Sequence, residues 1–169
     1  MRAAGGEAAA DLDRRVSASE SGTEDLGAAL APGLQAGDVI VLIGPLGAGK
    51  TRFVAGLARG LGAGSRVRSP SFTLINEYPG ERLLLHLDLY RLEPREVEAL
   101  GLEEQIERGV LAAEWGEKLP AALRREALTL RFEILSPAER AITARAAGPR
   151  GLVLLARWRA LEPPRARGA

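Results

Sequence analysis

The sequence contains no cysteine and only one histidine, His86. The first absence excludes disulfide staples and thiolate metal centres and leaves a cytoplasmic location open. Together the two argue against zinc chemistry. Lysine is nearly as scarce, since Lys50 and Lys118 are the only two among 23 basic residues. Aromatic residues make up 4%, so the basic residues lack the aromatic interleaving of many nucleic-acid readers. No apolar run approaches membrane-spanning length, and the opening MRAAGGEAAADLDRR lacks the apolar core of a signal peptide. That opening, about residues 1–15, is expected to be a solvated and poorly ordered tail, as is 162–169.

What is present is a chain of 169 residues, 46% of them hydrophobic. This suits a single domain burying about 70% of its unfolded surface. Net charge is +1, unevenly spread: residues 1–120 sum to −5 and residues 121–169 to +6. The basic region either decorates the solvent face of strands or meets RNA or an acidic partner.

Periodicity predicts an alternation of strands and helices. SGTEDLGAALAPGL reads as a short helix capped by Thr23 or Ser21, with Leu26 and Leu30 on one face. VIVLIG is a doubly buried strand, and TRFVAGLARGLG (51–62) a helix turning Phe53, Val54, Leu57 and Leu61 inward. SPSFTLINEY (69–78) and RLLLHLDLY (82–90) read as strands, PREVEALGLEEQIERG as helical, and VLAAEW as a strand ending on Glu114. From Pro120 onward, ALTLRFEI, AITARAA and GLVLLARW read as strands without intervening helices. The predicted fold is therefore α/β: a mostly parallel central sheet of P-loop type flanked by helices, with antiparallel strands at the C-terminal end.

The stretch GPLGAGKT satisfies G-x-x-x-x-G-K-S/T, the P-loop pattern. Between a strand and a helix, Gly44, Leu46, Gly47, Ala48 and Gly49 form a loop whose amides converge on phosphate oxygens. The helix behind it adds the positive end of its dipole. Lys50 supplies a compact charge to the outer phosphates, and the Thr51 hydroxyl is a ligand for Mg²⁺. Asp88 and Glu114 close two apolar runs, where a carboxylate has no packing role. Ligands of parallel sheets sit beyond the carboxyl ends of such strands. Asp88 reads as an acid holding Mg²⁺ directly or through water, and Glu114 as a metal ligand through water or an orienter of the attacking water. Trp115 offers a face for a purine or for the core. SPSFT reads either as a loop that responds to the γ-phosphate, with Ser71 or Thr73 offering a hydroxyl to metal or phosphate, or as a plain strand start with Pro70 at its edge.

The residues exclude a guanine reader: the only asparagine, Asn76, is followed by Glu77, and no D-x-x-G switch is present. A small-molecule kinase and a nucleotide-gated binding module remain alternatives to a partner-coupled ATPase.

GPLGAGKT, SPSFTLINEY, HLDLYRL, LGLEEQI and AAEW, in that order, resemble the TsaE (YjeE) family. These are bacterial ATPases needed to make the threonylcarbamoyl group of N6-threonylcarbamoyladenosine (t6A) in tRNA. The resemblance runs from about Thr23 to Glu117 and continues weakly beyond. It implies that Lys50 and Thr51 serve ATP and Mg²⁺, that Asp88 and Glu114 complete the hydrolysis site, and that Trp115 lies by the nucleotide. It further implies a switch-like segment from Ser69 to Thr73, nucleotide contacts from Glu20 and Thr23, and a basic contact from Arg140. The implied partners are TsaD and TsaB, with tRNA reached through that complex, and the protein resets the assembly rather than transferring the group itself. Three positions depart from the family's common pattern: Pro45 where aspartate is usual, Ser71 for threonine, and Gly116 for proline.

Overall fold

The computed structural model describes residues 12–64, 66–70 and 73–163. Among these are strands β1 (Leu12–Ser17), β2 (Val39–Ile43), β3 (Ile75–Tyr78), β4 (Leu84–Asp88), β5 (Val110–Glu114), β6 (Leu128–Ile134) and β7 (Arg140–Ala146). They form one sheet in the order β1–β7–β6–β2–β5–β4–β3. The four central strands β6, β2, β5 and β4 run parallel, while β3, β7 and β1 add antiparallel at the two edges. The parallel strands VIVLI, LLHLD and VLAAE are nearly continuous apolar runs because both of their faces are covered.

The helices are α1 (Glu20–Leu30), α2 (Lys50–Gly60), α3 (Pro94–Glu98), α4 (Leu102–Ile106) and α5 (Gly148–Ala160). On one face, Phe53, Val54 and Leu57 of α2 and Leu154, Leu155 and Trp158 of α5 pack on Ile40, Leu42, Leu130 and Phe132. On the other, Val97 of α3 and Leu102 of α4 join Leu119 and Leu123 over Val41, Leu85 and Leu111. Each of these buried side chains contributes about 2 kcal/mol of transfer free energy. Helices α1 and α2 pack backbone to backbone. A Cβ on Gly56 would stand 1.9 Å from the Glu24 carbonyl oxygen, and one on Gly27 2.2 Å from that of Phe53.

Several sequence-based expectations change. GLVLLARW is not a strand but the body of α5. Gly151, Leu154, Leu155 and Trp158 are buried at helical spacing, whereas Leu152 and Val153 are exposed, a pattern that a two-residue period cannot produce. Pro149 in its first turn suits a helix start. At the other end, residues 12–15 fall in β1, which pairs with β7, rather than in a loose tail. Residues 1–11 and 164–169 lie outside the described residues. The N-cap of α1 is Ser19, whose hydroxyl accepts from the Gly22 amide, not Ser21 or Thr23. PREVEALGLEEQIERG is split into α3 and α4, with Gly101 at φ +61° between them.

Candidate functional site

Strand β2 ends at Ile43 and α2 starts at Lys50, so GPLGAG turns the chain at the carboxyl end of a central parallel strand. Gly47 at φ +75° and Gly49 at φ +99° adopt backbone conformations closed to most side chains. The first-turn amides of a helix lack intrahelical acceptors, and the helix dipole places positive potential there. A loop of this shape is able to cradle an anion, and it stands at the usual ligand position of a parallel sheet.

Lys50 is the first residue of α2 and only 4% exposed. Its Nζ donates to the Gly44 carbonyl oxygen and lies 4.0 Å from the centroid of the Trp115 ring. Burial pushes its pKa below the ordinary lysine value, against the opposing pull of Glu114, Glu117 and Asp88.

The two strand-end acids are in register: Asp88 pairs with Glu114 across β4 and β5. The Thr51 hydroxyl donates to Glu114 Oε1 at 2.7 Å, and His86 Nε2 lies 2.8 Å from the same oxygen. Asp88 accepts from Ser69 Oγ at 3.2 Å and from the Tyr90 amide at 3.0 Å. A hydroxyl that gives its proton to Glu114 keeps its lone pairs for a cation. Two carboxylates and one hydroxyl suit Mg²⁺, which keeps several waters and takes its remaining ligands from substrate phosphates. Among the described residues no cluster of three or more His, Cys, Asp or Glu forms a metal cage.

These groups open on a cavity of about 540 Å³. The loop from Leu46 to Thr51 forms one wall, and Asp88, Glu114 and Ser69 another. Glu20 and Thr23 reach it from α1, and Arg140 from β7. Glu20 pairs with Arg52 at 2.9 Å. The Thr23 hydroxyl is turned to Ser17 Oγ at 2.9 Å, leaving its methyl beside Gly49. Arg140 donates to the carbonyls of Gly47, Ser136, Pro137 and Glu139 and so clamps the P-loop to the β6–β7 turn.

Among the described residues, three expected ones, Gly44, Trp115 and Thr73, are not on the cavity wall. Trp115 faces Lys50 and Tyr90, its ring 5.0 Å from the tyrosine ring, and Tyr90 is the aromatic residue of that pair lining the cavity. Thr73 donates to Asn76 Oδ1 at 2.7 Å and does not line the cavity. Ser71 lies outside the described residues. Sequence reasoning missed Arg52, Leu74, Tyr90, Arg91 and Ala138, all on the wall. Arg52, Tyr90 and Arg91 follow within three residues of Thr51 or Asp88, a proximity that could have found them. The second lysine, Lys118, donates to the carbonyls of Leu89 and Tyr90 at 2.9 and 2.8 Å and ties the two strand-end loops together.

The profile of a family described as "Threonylcarbamoyl adenosine biosynthesis protein TsaE" matches residues 17–142. Proteins named tRNA threonylcarbamoyladenosine biosynthesis protein TsaE are similar over much of the chain. That of a Nostoc species is 52% identical over 61% of this chain and 67% of its own length. That of Treponema pallidum is 40% identical over 77% of this chain and 98% of its own. A crystal structure of Bacillus subtilis YdiB superposes with a TM-score of 0.71 at 33% identity, covering 88% of this chain and 95% of that one.

Proposed function

The chain belongs to the TsaE family, and we propose that it is a Mg²⁺-dependent ATPase serving formation of the threonylcarbamoyl group on adenosine in tRNA. It hydrolyses ATP in complex with TsaD and TsaB and thereby resets that assembly; it does not itself transfer the threonylcarbamoyl group. The observation that carries this reading is the placement of Lys50 and Thr51, at the head of α2, against Asp88 and Glu114 in register on the neighbouring strands.

In this mechanism the amides of Gly47, Ala48 and Gly49 and the Lys50 ammonium hold the phosphates. Thr51, Asp88 and Glu114 hold Mg²⁺, which when bound neutralises phosphate charge. Glu114 orients the water that attacks the γ-phosphorus, and the low exposure of Lys50 and Glu114 strengthens every charge interaction there. Glu20, Thr23 and Arg140, which line the cavity, frame the nucleoside end, and Trp115 instead backs the Lys50 ammonium. Ser69, hydrogen-bonded to Asp88, links the segment up to Thr73 to the metal side of the site.

The test is phosphate release from ATP and Mg²⁺ with and without purified TsaB and TsaD. Strong stimulation by the pair is expected. Phosphorylation of a small-molecule acceptor, or ATP-dependent association without turnover, would contradict the reading. Among the described residues no helix is long and apolar enough to cross a membrane.

A further inference from the structure

His86 carries no role so far, although it is the chain's only histidine and is wholly buried. Strand alternation places Leu84, His86 and Asp88 on one face of β4, and the register sets His86 opposite Ala112 and Asp88 opposite Glu114 on β5. The imidazole therefore lies on the face toward α2, one step deeper than the two acids. Its Nε2 is 2.8 Å from Glu114 Oε1, while its Nδ1 is buried with no hydrogen-bond partner among the described residues.

That asymmetry selects a tautomer. With the proton on Nδ1, a buried donor would have no acceptor, and the Nε2 lone pair would face a carboxylate oxygen. With the proton on Nε2, the ring donates to Oε1, and only an acceptor is left unfilled, the more tolerable of the two states. The Thr51 hydroxyl donates to the same oxygen at 2.7 Å. Both hydrogen bonds thus fall on Oε1, which leaves Oε2 for chemistry in the cavity that Glu114 lines.

We propose that His86 is a positioning residue: its Nε2–H, together with the Thr51 hydroxyl, fixes the Glu114 carboxylate so that Oε2 is the working oxygen. It touches no substrate and acts only through Glu114, as the outer partner of a functional group does. The proposal rests on the ATPase reading above for the meaning of Glu114, but the hydrogen bond itself does not.

Labelling the protein with ¹⁵N-histidine gives the signals of a single ring, so the tautomer is read without assignment. The expected spectrum has a protonated Nε2 and a bare Nδ1, and Glu114→Leu, which removes the acceptor, shifts it toward the mixture of free imidazole. Three variants add a kinetic readout with TsaB and TsaD present: His86→Leu has no donor, His86→Asn places its amide too short, and His86→Gln restores N–H near the position of Nε2. Loss of an outer partner costs about 10–100-fold in kcat, and that loss is expected for Leu and Asn with the KM for ATP little changed. Gln should recover most of it. A protonated Nδ1, a Leu variant turning over like the wild type, or a folded Gln variant no better than Leu would each overturn the proposal. If the wild type itself released no phosphate, the ATPase reading would fall, and the spectrum alone would decide the role of His86.

Discussion

Asp88 and Glu114 stand opposite each other in register on adjacent parallel strands, each at the last residue of its strand. One sheet register therefore brings two carboxylates to the mouth of the P-loop, and the 2.7 Å bond from Thr51 to Glu114 joins loop and acid into one unit. Binding and turnover should separate along this line.

Under the proposed mechanism, which gives the phosphates to loop amides and Lys50 and the attacking water to Glu114, Glu114→Ala is expected to keep ATP binding within about threefold while hydrolysis falls about 100-fold or more. Isothermal titration with a nonhydrolysable ATP analogue and a phosphate-release assay on the same preparation measure the two effects. Normal turnover would remove Glu114 from the mechanism, and loss of both would leave it a ligand role only.

Lys50→Ala is expected to weaken nucleotide binding itself by about 10–100-fold, the usual worth of a hydrogen bond to a charged partner. The wild type should also show a pH signature. Burial holds the Lys50 pKa below its ordinary value in the free protein, and a bound triphosphate draws it back up. Nucleotide binding therefore takes up protons in the window between these two values and weakens as pH rises through it. Calorimetry in buffers of different ionisation enthalpy reads that uptake directly; none in that window would contradict the assignment.

Much of this site is legible in the sequence because its parts are local. The P-loop is one contiguous motif, and Asp88 and Glu114 each announce themselves as a charge closing an apolar run. The link from Thr51 to Glu114 and from Glu114 to His86 depends on which strands are neighbours, a fact carried by long-range pairing rather than by any local pattern. GLVLLARW reads equally as a short buried strand, and packing against β6 and β7 selects the helix. The strand β1 is similarly hidden: LDRRVS carries three charges in six residues, and only pairing with β7 gives it a place.

Gly56→Ala tests the close helix contact. The added methyl would collide with the Glu24 carbonyl and force α1 away from α2, at a cost of about 3 kcal/mol. Thermal unfolding should fall by about 6–12 °C. An unchanged melting temperature would show that the two helices are not held at this separation.

Arg150→Ala tests a contact remote from the cavity. Arg150 Nε and Nη2 donate to Asp38 Oδ1 and Oδ2, both at 2.7 Å, and Asp38 is only 4% exposed. Removing the arginine strands a buried carboxylate at the entrance to β2, costing about 3 kcal/mol. A lower denaturation midpoint with unaltered nucleotide affinity is expected; a matching loss of affinity would contradict the separation of stability from site.

The most direct measurement is a crystal structure with a nonhydrolysable ATP analogue and Mg²⁺. The predicted result has the phosphates on the amides of residues 47–51 and the Lys50 ammonium, with the cation between Thr51 and the Asp88–Glu114 pair. Nucleotide seated anywhere else, with this loop empty, would contradict the account.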